Sequence, residues 1–135
     1  MMILRSVPAS PFGRKVKIAA ALLGLTDRIR VEPANTSDPA DSVREQNPLG
    51  KIPVLIAADG SSLYDSPVIL EYLDHLAGGD RIIPAAPAAR FAALRLQALC
   101  DGVLDACLLQ VYESRFRSPE KQDLGWVAFQ AEKVT

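Results

Sequence analysis

The apolar positions fall into two regimes along the chain. Over roughly the first half they come in short bursts. Met2–Leu4 is a compact apolar run and predicts a strand. From Lys15 to Leu23 the residues Val16, Ala19, Ala20 and Leu23 share one stripe at helical spacing, and Gly24 supplies the stop. Arg28 to Glu32, "RIRVE", alternates polar and apolar, the signature of a half-buried strand. Pro33 to Asn47 is polar and irregular, with room for a short helix from Pro39 to Arg44. Pro53 to Ile56 reads as a strand, Asp59–Gly60 as a turn and Ser62 to Tyr64 as the returning strand. Ser66 to Leu76 then reads as a helix. The order is β-α-β-α-β-β-α, which predicts an α/β domain with a four-stranded mixed sheet covered by helices.

The second regime is helical throughout. Gly78 to Ala89, "GGDRIIPAAPAA", holds two glycines and two prolines and reads as a linker. From Arg90 to about Arg115 the residues Phe91, Leu94, Leu99, Val103 and Cys107 recur at helical spacing. Pro119 is expected to restart a helix carrying Trp126, Val127 and Phe129. Two helices cannot enclose a core of their own. Residues 90–135 therefore read as a partial all-α domain. Its apolar faces must cover the first domain, each other, another chain or residues outside this sequence.

Composition narrows the function classes. The 135 residues are 49% hydrophobic and 23% charged, with a net charge of −1 and no basic or acidic block. That argues against a nucleic-acid footprint. No apolar run approaches the roughly 20 residues that span a bilayer, and "MMILRSVPASPF" lacks a signal-peptide core. A cytoplasmic location is the expectation. Cys100 and Cys107 lie seven apart on a helical pattern, too far for an easy disulfide. Both are expected to be small buried apolar residues. A single histidine, His75, leaves no metal-ligand cluster and is expected to lie exposed near a helix C-terminus.

The chemistry gathers at three prolines. Ser10–Pro11 and Ser66–Pro67 are the same device: serine is a favoured N-cap, and proline suits the first helical turn. Each serine is explained by capping alone. A helix N-terminus is also an anion site, and two of them beside one small sheet suit a ligand with an anion at each of two points. Between them, Pro53 heads a strand, where proline is tolerated as a first residue. A thiol held at the first helix start could ionise. Lowering a thiol pKa of about 8.5 by about two units needs roughly 2.7 kcal/mol. One charged hydrogen bond from a serine hydroxyl supplies roughly 1.5–3 kcal/mol, and the helix terminus roughly 0.3–1 kcal/mol more. No histidine or metal is required.

"NPLGKIPVL" followed by "LYDSPVILEYLD" resembles the glutathione-binding half of the glutathione S-transferase family. "SPFGRKVKIAAALLGL" resembles the first helix of its bacterial serine- and cysteine-type members, and "ALCDGVLDACL" the first long helix of its all-α domain. The resemblance implies a thioredoxin-like glutathione-binding domain over residues 1–77, a linker over 78–89 and a shortened all-α domain over 90–135. It implies glutathione as co-substrate, a small electrophile such as an activated aromatic or alkyl halide as acceptor, a homodimer, no metal, and a detoxifying role. Residue by residue, Ser10 matches the thiol-activating position, with Ser6 as a rival that lacks a helix start beside it. Pro53 matches a cis-proline, and Ile52 before it would pair its backbone with the cysteinyl part of glutathione. Ser66 and its N–H would take the γ-glutamyl carboxylate, and Asp65 would face the ammonium. Lys51 is a candidate for the glycyl carboxylate. Arg14 and Lys15 could add positive potential and are otherwise a solvated face. Asp101 and Asp105 share a face of the long helix and are read as surface residues. Two further readings stay open. One is a non-catalytic transferase-like interaction module. The other is a glutathione-dependent thiol oxidoreductase, against which the absence of C-x-x-C counts.

Overall fold

The alternation of side chains along a central strand decides what each face of its sheet can bury. In the computed structural model, which describes residues 1–135, strand β1 is Met2–Arg5, β2 Ile29–Glu32, β3 Val54–Ile56 and β4 Ser62–Leu63. They form one sheet in the order β2-β1-β3-β4. β1 and β2 are parallel, with Met2 opposite Ile29 and Arg5 opposite Glu32. β3 runs antiparallel to β1, with Arg5 beside Val54, and β4 antiparallel to β3, with Leu63 beside Leu55. Helices α1 (Pro11–Leu22) and α3 (Ser66–Leu76) lie against each other, and the single turn α2 (Val43–Gln46) lies against β3. This is the expected β-α-β-α-β-β-α order of a thioredoxin-like domain. Leu4, Val16, Val54, Leu55, Ile69 and Leu73 are fully buried, as is Val43 from α2. Each is worth roughly 1.5–3 kcal/mol of burial.

Several element bounds differ from the sequence reading, each for a local reason. The helix expected at Pro39–Arg44 forms only at Val43–Gln46. The carboxylates of Asp38 and Asp41 accept the N–H groups of Ala40 and Val43 at 2.9 and 2.8 Å, which holds residues 38–42 in turns. β2 is an edge strand, so Val31 is exposed rather than half-buried. Helix α4 starts at Pro87 rather than Arg90 and runs to Phe116, since proline suits a first helical turn. Pro119 opens only a 3-10 turn, Pro119–Lys121. Helix α5 (Leu124–Glu132) begins after Asp123, whose side chain accepts from Trp126 N at 2.9 Å.

The chain divides into two compact units, Met1–Ala93 and Leu94–Thr135. In the first, the Gly78–Ala86 stretch is tied back onto α3: Asp74, buried, accepts from Arg81 N at 3.1 Å and Ile82 N at 2.8 Å. Arg90 pairs with Glu71 at 2.5 Å. In the second, Glu113 is buried and accepts from Asp123 N at 2.9 Å, joining the end of α4 to the start of α5. Only Ala106, Glu113 and Gln130 are buried there, while Leu96, Leu99, Phe116, Leu124 and Phe129 are exposed. Apolar residues occur all round α4, which is why Cys100 is exposed and Cys107 half-buried, correcting the expectation that both are core residues. Both are free thiols. No helix is long and apolar enough to cross a membrane.

One strand residue breaks the apolar pattern. Arg5, the last residue of the interior strand β1, is only 8% exposed and reaches Asp41, with Nη2 2.8 Å from Oδ1. Asp41 also accepts the N–H groups of Asn35 at 2.7 Å and Val43 at 2.8 Å. Those backbone bonds, and then Arg5, hold its carboxyl below the ordinary value of 3.8. A carboxyl lowered on folding stabilises the fold above its unfolded pKa and loses that effect as pH falls through its folded pKa. We therefore expect the stability gap between the wild type and Asp41→Asn to be full near neutrality and to narrow below about pH 4. Urea unfolding followed across that range measures it; a gap constant with pH contradicts the assignment.

Candidate functional site

Three chain reversals share one end of the sheet, and topology alone puts them there. β1 is antiparallel to β3, so its last residue, Arg5, lies beside Val54, the first residue of β3. β4 is antiparallel to β3, so its exit at Leu63 lies beside Leu55, at the same end. The turns into α1, into β3 and into α3 therefore converge. They carry Ser10, then Lys51–Ile52–Pro53, then Asp65–Ser66.

Ser10 is the N-cap of α1. Its backbone is extended, and its hydroxyl oxygen accepts from Gly13 N at 3.0 Å. Pro11 brings no N–H, and the N–H of Arg14 is taken by the Ser10 carbonyl at 3.0 Å. Because the hydroxyl oxygen serves the cap, its proton remains to be donated. The half-buried side chain lies at a helix N-terminus whose first turn holds no acidic residue. Ser6, the rival, is 2% exposed and lies beneath Gly13. A Cβ added at Gly13 would stand 2.0 Å from the Ser6 hydroxyl oxygen. Arg14 is exposed and Lys15 half-buried.

The Ile52–Pro53 peptide is cis. Pro53 is buried and Ile52 half-buried against the small cluster of Ala34, Val43 and Val54. Lys51 is exposed just before them. The loop that delivers them is shaped by Asn47, which is 2% exposed. Its Nδ2 donates to the Lys51 carbonyl at 2.9 Å, and its Oδ1 accepts from Leu49 N at 3.0 Å.

At the third reversal the cap falls one residue earlier than the sequence reading placed it. Asp65 is the N-cap of α3, following a cis Tyr64–Asp65 peptide, and Ser66 is the first helical residue. Asp65 is exposed and its side chain makes no capping bond. Ser66 is 2% exposed; its hydroxyl makes no hydrogen bond within the chain and keeps a little solvent contact, Arg5 Nε being the only fully enclosed polar side-chain atom left unpaired. Pro67 again removes one N–H from the first turn. His75 lies exposed in the last turn of α3, as expected.

Sequence reasoning missed Arg5, Gly13 and Asn47. Gly13 was signalled by a glycine inside a helical pattern, which points to a close approach. Asn47 and Arg5 carried weaker signals: a loop asparagine, and a charge at an inward strand position.

A mixed sheet with a cis-proline and two helix N-termini at one end defines a thioredoxin-like domain. A profile described as "Glutathione S-transferase, N-terminal domain" matches residues 9–76. The chain belongs to the glutathione S-transferase N-terminal domain family. It is 34% identical over 125 residues to the Uncharacterized GST-like protein YibF of Escherichia coli (strain K12), covering 93% of this chain and 60% of that protein. A glutathione transferase family member from Pseudomonas fluorescens Pf-5, solved with bound glutathione, superposes with a TM-score of 0.91 at 39% identity. A glutathione S-transferase from Methylobacillus flagellatus KT, also with glutathione bound, superposes at 0.87 and 44% identity. Each comparison covers 99% of this chain, but only 66% and 65% of the respective solved chain. The present chain thus spans less than two thirds of these relatives' lengths.

Proposed function

We propose that this chain binds glutathione across the Ser10–Pro53–Ser66 end of its sheet and holds the thiol as a thiolate for attack on a small electrophile. The observation that carries the reading is Ser66: a hydroxyl in the first turn of a helix that makes no hydrogen bond within the chain and keeps contact with solvent, on a residue otherwise buried. A hydroxyl that the fold does not use, open to solvent at a helix N-terminus, is free to donate to a ligand acceptor. The hydroxyl and N–H of Ser66 would take the γ-glutamyl carboxylate, with the helix terminus favouring the negative charge. Asp65, exposed beside it, would face the ammonium. The Ile52 backbone, just before Pro53, would pair with the cysteinyl part as a short added strand. Lys51 would meet the glycyl carboxylate.

Ser10 would donate its hydroxyl proton as a hydrogen bond to the sulfur. The thiol gives its proton to solvent. The thiolate then forms a C–S bond to the electrophile, and a halide leaves with the bonding pair. The bound solved relatives support glutathione as the co-substrate. The electrophile, a homodimeric assembly, a cytoplasmic setting and a division at residues 1–77, 78–89 and 90–135 belong to the same proposal.

Calorimetric titration tests it. Glutathione is expected to bind the wild type saturably. Ser66→Ala should weaken binding about tenfold or more, the effect of losing one hydrogen bond to a charged group, roughly 1.5–3 kcal/mol. Equal affinity in the two proteins would remove Ser66 from the site. No wild-type binding at millimolar glutathione would favour the non-catalytic interaction module.

A further inference from the structure

We propose that Arg5 is a positioning residue for the glutathione groove: one side chain and its own backbone clamp both ends of the segment that carries Lys51 and Ile52. The inference rests on the glutathione reading above and assigns it a residue that touches no ligand.

The backbone of Arg5 pairs with Val54, immediately after Pro53. Its side chain reaches the other end of the same segment. Nη1 donates to Ser42 Oγ at 2.9 Å and to Gln46 Oε1 at 3.1 Å, while Nη2 donates to Asp41 Oδ1 at 2.8 Å. Gln46 Nε2 donates in turn to Ser42 Oγ at 3.3 Å. Gln46 is the last residue of α2, and Asn47 follows it directly. Asn47 N donates to Val43 O at 2.8 Å, and its side chain then holds Leu49 N and Lys51 O. The path from Arg5 through α2 and Asn47 to Lys51 returns to Arg5 at Val54. Residues 41–54 form a closed ring anchored at one residue.

A purely stabilising role fits this cluster poorly. Replacing a buried ion pair by apolar groups of similar size is often neutral or favourable. Here Nε of Arg5 is buried without a hydrogen bond, which worsens the exchange. What the charged fork supplies is direction: three acceptors fixed at once by a planar donor set. An apolar side chain at position 5 would fill the space without fixing where α2 and its following loop sit.

The test is the double variant Arg5→Met/Asp41→Asn, which removes both charges, keeps the stem volume at position 5 and keeps a side-chain acceptor at 41. It is paired with single Asp41→Asn, which leaves the Arg5 charge uncompensated and is expected to melt lowest. The double variant is expected to fold and to retain slow amide exchange at the β1–β3 ladder. Its amides at Asn47, Leu49 and Gly50 should exchange faster than in the wild type. Its glutathione Kd should rise about tenfold, while the pKa of the bound thiol, governed by Ser10, stays put. Unchanged exchange at residues 47–50, or an unchanged Kd in a protein whose wild type binds glutathione, overturns the role of Arg5 alone. A wild type that does not bind glutathione overturns the functional reading, whatever the exchange data show.

Discussion

Ser10→Ala is expected to raise the pKa of the thiol of bound glutathione by roughly one to two units, with little change in affinity at acidic pH. Free glutathione thiol ionises near the ordinary cysteine value of about 8.5. On the proposed reading the serine hydroxyl would contribute one hydrogen bond to an anion, roughly 1.5–3 kcal/mol, and each pKa unit is about 1.4 kcal/mol. Alanine at position 10 also removes the cap on Gly13 N, at a typical cost of about 1 kcal/mol to α1. The helix terminus itself remains, so part of the depression should survive. At acidic pH the thiol would be protonated in both proteins, and on the proposed reading the carboxylate contacts at Ser66 would carry the affinity. Conjugation of a chloro-nitroaromatic at neutral pH should fall about threefold to twenty-five-fold, tracking the lost thiolate. Ultraviolet absorbance of the thiolate against pH measures the shift. A thiol pKa unchanged by the substitution removes Ser10 from the chemistry.

Gly13→Ala should have the second large effect, with a sign opposite to helix propensity. In an open helix the change would stabilise by roughly 0.8–1 kcal/mol. Here the new Cβ would lie 2.0 Å from Ser6 Oγ and 3.1 Å from Ser6 Cβ. The hydroxyl could rotate away, but the Cβ contact would persist, and Ser6 is buried. Overpacking of this kind costs roughly 1–3 kcal/mol. The first turn of α1 must shift, and Ser10 with it. We expect a lower Tm together with a raised pKa of the bound thiol. The companion Gly13→Ala/Ser6→Gly removes both clashing atoms and should recover much of each effect, a coupling visible in a double-mutant cycle. Tm increased by Gly13→Ala alone would contradict the close approach.

The sequence reading placed the sheet and the three reversals because their signals are local. Val54–Ile56 bounded by Pro53 and by Asp59–Gly60 can hardly be anything but a strand and its turn. Ser10–Pro11 marked its helix start for the same reason, and Ser10 does cap α1. Where side chains compete with the backbone, element bounds depart from the local pattern. Asp38 and Asp41 hold turns that delay α2, and Asp65 takes the cap that Ser66 was expected to hold. That displacement matters for the site, because it leaves the Ser66 hydroxyl without a partner instead of satisfied by its own helix. The pairing made by Arg5 is illegible for a different reason. Its partners Asp41, Ser42 and Gln46 are some forty residues away, and no local pattern announces a pairing across that distance.

The central claim is that glutathione lies between Ser10 and Ser66 along the Ile52 edge. Titrating glutathione into nitrogen-labelled wild-type protein, followed by amide resonances, tests it most directly. Saturable shifts concentrated at Ser10, Lys51, Ile52, Asp65 and Ser66 are the predicted result. No saturable shift at millimolar glutathione, or shifts centred away from those three turns, would contradict it.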